Sequence, residues 1–366
     1  MNTDLTWSVR PLGAADVDPA VELLSRTSAS DIRHLLRADL GALGVSRDVP
    51  GRALVAERDG RPVGAAKVSA DPVFVGTAAA RLAVDPAERG RGIGTALMAG
   101  LMADPLLGGP EGGGGGGAVT SMLRDDLPRG RAFAERYGFG VVHHSVGFRF
   151  DLCGHERELD RRAKAALERA GVQVRLASLV AEERTIKECI ERCRPGLPLP
   201  YGDRPVDLGA WLADCPADTV FLLAEPVAAD GVPAAGASAA GTPAAASRGG
   251  GAAGGEGAAG AVGGDAVTGT VRPDGMTILV PRTDVSGWHV AFTATDPVRR
   301  GQGVATAVKA ASLLYACRAG VESVTTHNDE SNTPIIRANT ALGMVPDVGY
   351  WTLTRPPGAP AAPEAF

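Results

Sequence analysis

Two short glycine-rich segments are the residues of this chain whose types and spacing most directly imply chemistry. They read Arg89–Gly94 (RGRGIG) and Arg300–Ala305 (RGQGVA), and each follows an apolar run that ends in Asp-Pro, at Asp85 and Asp296. A stretch with helical apolar spacing follows each of them. A helix N-terminus leaves backbone N–H groups unpaired, and glycine or alanine lets a phosphate approach them. The sequence therefore predicts two phosphate-binding strand–loop–helix units.

Motifs that are missing from the two loops argue against some classes of phosphate ligand. Neither contains Gly-Lys-Ser/Thr, which argues against a nucleoside triphosphate. Neither has the spacing Gly-x-Gly-x-x-Gly with an acidic residue about 20 positions on, which argues against a dinucleotide. Arg89, Arg91, Arg299 and Arg300 could add positive charge for a diphosphate. The plain alternative for a single copy is a glycine turn that only joins a strand to a helix.

Composition bounds the class of protein. The 366 residues suggest two or three domains, and 45% apolar content permits a core in each half. The net charge of −5 gives no electrostatic case for nucleic acid. The N-terminus does not resemble a signal peptide, and no apolar run is long enough to span a membrane. The five scattered cysteines favour a reducing, cytoplasmic setting. Cys189 and Cys193 are predicted to be helix residues, and no metal site is expected.

The elements that position the two loops recur in the same order. In the first half, strands are predicted at 53–56, 63–68, 78–84, 119–123 and 141–150, and helices after residue 93 and at 131–137. In the second half, strands are predicted at 172–176, 219–224, 266–271, 277–280, 288–294, 323–326 and 350–353, and helices at 182–194, after residue 304 and at 333–342. The distance from Gly94 to Gly138 exceeds that from Ala305 to Gly343 by the length of one loop insertion. This pattern indicates an internal duplication.

The expected units follow from this duplication. An N-terminal unit covers residues 1–150, with a flexible glycine insertion at 108–117. Residues 151–171 form a connecting helix. A C-terminal unit covers residues 172–356 and contains a disordered Ala/Gly-rich insertion at 228–264, and residues 357–366 form a loose tail.

The loops and their surroundings resemble the GCN5-related N-acetyltransferase (GNAT) family. Both loops match its acyl-CoA pyrophosphate motif, Arg/Gln-x-x-Gly-x-Gly/Ala, and both are followed by the landmark that here reads Tyr137-Gly138-Phe139 and Leu342-Gly343-Met344. The second half also carries Asn328, Asn332 and Asn339 at a spacing common in the family. The resemblance covers residues 6–150 and about 172–355.

The resemblance implies an α/β fold of two GNAT-like domains. Each would be a mixed, mostly antiparallel sheet, splayed by a bulge in its fourth strand and flanked by helices. Acetyl-CoA would lie in the splay, with its pantetheine along the fourth strand, and its acetyl group would be transferred directly to the amine of a small acceptor. The acyl-CoA-binding residues would be Leu82, Val84, Arg89, Gly90, Arg91, Gly92, Ile93, Gly94 and Thr95, and then Thr293, Thr295, Arg300, Gly301, Gln302, Gly303, Val304, Ala305, Thr306, Asn332 and Asn339.

The acid and base of the family have no obvious counterparts. The position of the usual acidic tyrosine is taken by Ala134 and Asn339, and Tyr137 is expected to be a core or capping aromatic. His289 is the best candidate base, because histidine accepts a proton near neutral pH. Tyr350, on the last strand, is the candidate acid or substrate contact.

The halves therefore differ in what they predict. The polar fourth strand, the asparagines and His289 favour a catalytic C-terminal half, with an N-terminal half that binds acyl-CoA without turnover or serves as a scaffold. Two alternatives stay open: a catalytically silent acyl-CoA-binding or regulatory protein, and a tandem enzyme similar to mycothiol synthase. His143 and His144 are adjacent on a strand and are expected to face opposite sides, without a joint role. The sequence gives no indication of the oligomeric state.

Overall fold

The computed structural model describes residues 7–27, 33–45, 50–71, 76–108, 118–198, 206–227, 271–282 and 286–359. The predicted insertions fall outside these residues, except for Gly108 of the first. The same is true of most of the tail and, except for Val271, of the strand predicted at 266–271.

The first half contains the elements that precede and follow the first glycine loop. They are β1 (Trp7–Pro11), α1 (Val17–Ser25), α2 (Arg33–Val45), β2 (Gly51–Arg58), β3 (Arg61–Ala70), β4 (Ala78–Val84), α3 (Ile93–Met102), α4 (Pro105–Gly108), β5 (Val119–Arg124), α5 (Pro128–Arg136) and β6 (Gly140–Asp151). The β2–β3 hairpin, β4, α3 and β5 agree with the sequence prediction. Strand β1 and helices α1 and α2 were not predicted, because proline and glycine interrupt their apolar positions.

The second half repeats this order after one additional helix. It comprises α6 (Glu156–Ala170), β7 (Val172–Ala177), α7 (Leu179–Cys193), α8 (Leu208–Ala213), β8 (Val220–Pro226), β9 (Gly275–Pro281), β10 (Gly287–Thr295), α9 (Val304–Arg318), β11 (Ser323–Asp329), α10 (Thr333–Ala341) and β12 (Val345–Arg355). Helix α9 corresponds to α3, and both begin directly after their glycine loops. The internal duplication is therefore visible in the structure.

The twelve strands found in the described residues form one sheet, in the order β1-β2-β3-β4-β5-β12-β6-β11-β10-β9-β8-β7. The β4–β5 and β10–β11 pairs are parallel and the others are antiparallel. The predicted class, a mixed and mostly antiparallel sheet flanked by helices, is confirmed. The two halves do not form separate sheets, however, because β12 inserts between β5 and β6, while β6 pairs with β11. A boundary at residue 150 divides the chain, but it does not divide the sheet.

Helices cover both faces of the sheet. On one face, α1 and α2 pack over β2 to β4, and α7 packs over β7, β9 and β10. On the other face, α3 packs over β1 to β4, and α9 packs over β7 to β10. We call the first face the α1/α7 face and the second the α3/α9 face. The glycine loops lie at the starts of α3 and α9, where β4 and β10 end.

Helix α6, predicted only as a connection, is part of a core. Its apolar side chains Leu159, Ala163, Ala166 and Ala170 are buried in one cluster with Val304 and other residues of α9. The helix ends at Gly171, whose φ of 64° gives a left-handed C-cap. The two halves differ because α6 packs against α9 in the second half.

Candidate functional site

The glycine loops have nearly the same backbone in both halves. Gly90 and Gly92 have φ values of 79° and 83°, and Gly301 and Gly303 have values of 75° and 86°. These left-handed conformations favour glycine, so the two glycines of each loop are required by its geometry. Gly92 and Gly303 are the N-caps of α3 and α9, and no side chain among the described residues caps either helix. The backbone amides at both helix starts are thus not claimed by a capping side chain.

The strand before each loop ends in the same turn. Asp85 Oδ1 accepts a hydrogen bond from the N–H of Ala87 at 3.0 Å, and Asp296 Oδ1 accepts one from Val298 at 3.1 Å. Arg89 Nε donates to the carbonyl of Val84 at 3.1 Å. The Asp-Pro signal and the first arginine therefore fix the path of the loop against the strand end.

Strands β4 and β5 separate along their length. They pair only at Ala78–Val119 and Ala79–Thr120, although β4 continues to Val84 and β5 to Arg124. Beyond the second pair the strands diverge, which opens the splay that the resemblance implies. The expected bulge is absent from β4, whose register with β3 is continuous. A bulge does occur in β10, between Val290 and Phe292.

A cavity of about 730 Å³ occupies the splay of the first half. It is lined by β4, the glycine loop, α3, β5 and α5. Eight of the predicted acyl-CoA-binding residues line it: Leu82, Val84, Arg89, Gly90, Gly92, Ile93, Gly94 and Thr95. Arg91 is outside this lining, and its Nε lies 3.4 Å from Glu88. Ala134, at the position of the family's tyrosine, also lines the cavity, whereas Tyr137 is buried and packs against Phe133.

The corresponding groove of the second half is filled by α6. Ala170 Cβ lies 3.9 Å from where a Cβ on Gly303 would stand, and Arg299 Nη2 donates to the Ala170 carbonyl at 3.1 Å. Arg162 Nη1 donates to the carbonyl of Leu342, at the end of α10, at 2.7 Å. Helix α6 therefore lies against both α9 and the end of α10. In the first half, the cavity lies between the equivalent helices, α3 and α5.

The direction of α6 explains why it fits there. Its C-terminal carbonyl is at the glycine loop, while Glu156 and Asp160 near its start bind Arg318 at 3.2 and 2.8 Å. The negative end of the α6 dipole thus faces the positive start of α9. The C-terminus of α6 therefore places partial negative charge at the start of α9.

The predicted cofactor residues of the second half are engaged within the protein. Arg300 Nη2 donates to the carbonyls of Cys193 and Pro195 at 3.0 and 2.6 Å, and Thr293 Oγ1 is 2.7 Å from Thr277 Oγ1. The others lie as follows: Thr295 and Val304 are buried; Gly301, Gln302, Gly303, Ala305 and Thr306 form the loop and first turn that α6 approaches; Asn332 is the N-cap of α10; and buried Asn339 donates to Asn328 at 2.7 Å. This packing gives no support to the hypothesis that the C-terminal half is the catalytic one.

His289 does not suit the role of a base. It is buried, and its Nδ1 lies 3.1 Å from Thr325 Oγ1. Burial, together with the charges of Arg282 and Lys309, lowers the pKa of His289 to about 3. An imidazole with so low a pKa is a weak proton acceptor near neutral pH. Its burial argues against the prediction, because the sequence does not show that this strand position faces the core.

Tyr350 is brought to the centre of the sheet by the strand exchange. It lies on β12 opposite Arg124 of β5 and Ser145 of β6, and its ring meets that of His327 edge-on at 4.6 Å. It is therefore close to the splay of the first half, although it belongs to the second half of the chain. His289 and Tyr350 lie on β10 and β12, the strands on which the sequence placed them.

Two histidines of β6 have acidic partners from elsewhere in the chain. His143 Nδ1 is 2.7 Å from Asp329 Oδ2. His144 is 2.8 Å from Glu330 and 3.1 Å from Asp125. The two rings face opposite sides, as expected, but the pairing of His143 was missed. No sequence signal could reveal it, because Asp329 is 186 positions away on a strand whose partner is set by tertiary structure.

The remaining expectations concern cysteines, metals and membranes. Cys189 and Cys193 are buried on α7 with their Sγ atoms 3.9 Å apart. Within the described ranges, no group of three histidine, cysteine or acidic residues is arranged to hold a metal ion. None of the helices in those ranges is long and apolar enough to cross a membrane.

Comparisons with known proteins agree with this geometry. The family profile described as acetyltransferase (GNAT) domain matches residues 50–141, which contain the first glycine loop and the cavity. A search of the curated protein sequences found no match.

Similar solved structures cover nearly the whole chain. A GCN5-related N-acetyltransferase from Sphaerobacter thermophilus is 16% identical with a TM-score of 0.59, over 97% of this chain and 96% of its own. A tandem GNAT protein from the clavulanic acid biosynthesis pathway is 18% identical with a TM-score of 0.56, over 99% and 100%. A glucosamine N-acetyltransferase region of a fungal multi-domain β-N-acetylglucosaminidase is 13% identical with a TM-score of 0.59, over 96% and 38%. Residues 50–141 thus match the GNAT acetyltransferase domain, and the chain as a whole shares its fold with these GNAT structures.

Proposed function

We propose that this protein is an acyl-CoA-dependent N-acyltransferase whose donor, acetyl-CoA, binds in the first half. The observation that carries the proposal is the contrast between the two grooves. The groove between α3 and α5 holds a cavity of about 730 Å³, and the equivalent groove is filled by α6. The second half then serves as a scaffold that supplies β12 to the centre of the sheet.

The residues of the first half fit a coenzyme A molecule. The uncapped start of α3 can bind the diphosphate, with Arg89 and Arg91 supplying positive charge nearby. Leu82 and Val84, on the part of β4 that has left β5, can flank the pantetheine. The thioester would then reach the narrow end of the splay, where an acceptor amine attacks its carbonyl carbon.

Matched substitutions in the two loops test the location of the donor. Gly94→Glu places a carboxylate beside the diphosphate position, and its side chain would also approach Phe133, because a Cβ added to Gly94 would lie 3.5 Å from that ring. Ala305→Glu introduces a glutamate at the equivalent position of the second loop. Calorimetry should show that Gly94→Glu abolishes coenzyme A binding while Ala305→Glu retains the wild-type affinity. Thermal melts verify folding, and Ala305→Ser is the milder control. Binding lost only in Ala305→Glu would contradict the assignment.

The acceptor class is tested by thiol release from acetyl-CoA. We propose a primary amine on a small molecule, and the panel comprises an amino sugar, a polyamine, an amino acid and an arylalkylamine. The amino sugar is included because one structural neighbour is a glucosamine N-acetyltransferase region. Release of free thiol with any of them, abolished by Gly94→Glu, supports the enzyme.

Two alternatives predict different outcomes of that assay. Coenzyme A binding without thiol release from any amine favours a silent acyl-CoA-binding or regulatory protein. Release only with a cysteinyl amino-sugar acceptor favours a tandem enzyme similar to mycothiol synthase, for which the tandem architecture is the only support.

A further inference from the structure

The exchanged strands align polar side chains in two rows across the centre of the sheet. In one row, Arg124 of β5, Tyr350 of β12, Ser145 of β6 and Asp329 of β11 lie directly opposite one another. In the next row, Met122 of β5, Thr352 of β12 and His143 of β6 do so. Directly opposed residues share one face of a sheet. Side chains from both halves of the chain therefore meet on the same surface.

This surface lies on the α1/α7 face, between the pair α1 and α2 on one side and α7 on the other. Thr120 of β5 is the partner of Ala79 in β4, and Ala83 of the same strand packs in the cluster of α1 and α2. At the other side, Thr325 of β11 is the partner of His289 in β10. The two rows thus occupy the strands between α1 and α7.

The donor cavity opens toward this surface through the splay. Its lining includes Arg81, Ala83 and Met122, whose positions in β4 and β5 belong to the α1/α7 face, as well as Leu82 and Val84 of the opposite face. Two strand spacings of about 4.8 Å separate β5 from β6, so His143 is about 10 Å from Met122. An acceptor that lies over β12 can bridge this distance.

Three of these residues form a continuous hydrogen-bonded chain. His143 Nε2 lies 3.0 Å from Ser145 Oγ, and His143 Nδ1 lies 2.7 Å from Asp329 Oδ2. The other oxygen, Asp329 Oδ1, accepts a hydrogen bond from the N–H of Ser331 at 2.7 Å, which holds the carboxylate in place. A neutral imidazole in this setting carries its proton on Nδ1, and its Nε2 accepts a hydrogen bond from the Ser145 hydroxyl group.

We propose that Ser145, His143 and Asp329 accept the proton that the acceptor amine loses during acyl transfer. This inference rests on the proposed function, and it adds the residues that make the amine a nucleophile. The N–C bond forms as the C–S bond of the thioester breaks. The amine proton passes to Ser145 Oγ while the Ser145 hydroxyl proton passes to His143 Nε2, and the imidazolium later returns a proton to the leaving thiolate or to solvent. The products are the N-acyl amine and free coenzyme A.

The electrostatic surroundings of His143 agree with this role. Burial lowers the pKa of His143, and the charge of Asp329 acts in the opposite direction. Glu330 beyond β11 also raises it, whereas His144 on the same strand lowers it, and Tyr350 of β12 is nearby on the same face. His143 is therefore neutral at physiological pH, with a carboxylate placed to stabilise the imidazolium when it forms.

His144 supplies a matched control. It is the adjacent histidine and is also paired with acidic groups, but it points to the opposite face, beside Trp351. Acetyl-CoA turnover is measured from pH 5.5 to 9 for His143→Gln and His144→Gln, with the fastest amine of the panel. His143→Gln should lower kcat/KM by about 100-fold or more and remove the acidic limb of its pH profile. His144→Gln should retain both the rate and the limb.

The other members of the chain give graded results. Ser145→Ala should lower the rate but keep the acidic limb, because His143 remains. Asp329→Asn should move the limb to lower pH, since it removes the charge that raises the pKa of His143. NMR of the His143 ring should show the proton on Nδ1. A proton on Nε2, an acyl group covalently attached to Ser145, or equal rates in the two histidine variants would each overturn the proposal.

Coenzyme A binding separates this inference from the function on which it depends. His143→Gln should bind coenzyme A with the wild-type affinity. If it does so and also turns over at the wild-type rate, only the proton-transfer role fails. If the unmodified protein binds no coenzyme A or releases no thiol with any amine, the proposed function fails as well.

Discussion

Replacing Lys309 by methionine should stabilise the protein. Lys309 is on α9 with 1% of its surface exposed, and its Nζ has no hydrogen-bond partner among the described residues. Counting from the starts of α9 and α3, the equivalent residue in the first half is Met98. The change Lys309→Met therefore places a side chain that the duplicated helix already accommodates at this position.

The size of the effect follows from the ionisation of the amine. Burial lowers the pKa of Lys309 from 10.5 to about 7. Each tenfold change in the acid dissociation constant corresponds to about 1.4 kcal/mol. Burying the charged lysine in the folded state therefore costs about 5 kcal/mol at low pH. Local rearrangement relieves part of such a cost, so we expect a gain of about 2–4 kcal/mol at pH 7.

The pH dependence gives the effect a second signature. Because the folded pKa is lowered, the cost is fully present below pH 7, decreases as the pH rises, and is absent above about pH 10.5, where the amine is neutral in both states. Urea unfolding at pH 7 and pH 9.5 should show the advantage of Lys309→Met shrinking at the higher pH. Lys164→Met, an exposed lysine on α6, is the control and should change little. A Lys309→Met protein that is less stable than wild type at pH 7, or a constant difference between the two pH values, would refute the reasoning.

Three further predictions concern other groups. The NMR signals of the His289 ring should stay constant from pH 5 to 8, because burial lowers its pKa to about 3; a titration in that range would contradict its burial. Leu159→Ala, which opens a cavity between α6 and α9, should cost about 2–5 kcal/mol in denaturant unfolding and leave coenzyme A affinity unchanged. The hydrogen bond from Arg10 lowers the pKa of Asp16, so wild type should exceed Asp16→Asn in stability above about pH 4 and lose this advantage on acidification through the folded pKa; a constant difference would contradict the pair.

The sequence was informative wherever the structure depends on nearby residues. The glycines of both loops, the Asp-Pro turns and the helices after them were predictable, because backbone conformation at Gly92 and Gly303 is set by a few adjacent residues. The repeated order of elements then indicated the fold class. For the same reason, eight of the predicted cofactor residues line the cavity of the first half.

The choice between the two halves was not predictable in this way. The loops at Arg89 and Arg300 are locally alike, and only the packing of α6 against α9 distinguishes an open groove from a filled one. The sequence favoured the second half as the catalytic one, because that half contains more polar residues near its glycine loop. Those residues turned out to hold the protein together, as the hydrogen bonds of Arg300 and Asn339 show.

The amino-acid sequence alone determined the two strand–loop–helix units, their duplication and the chemistry that uncapped helix amides can offer a diphosphate. Only the tertiary structure decided which unit is open, which strands are exchanged and that His143 meets Asp329. The physical reason is that strand pairing and helix packing join residues far apart in the chain. Each strand carries unpaired N–H and C=O groups along both edges, so its own sequence does not specify which neighbour will satisfy them.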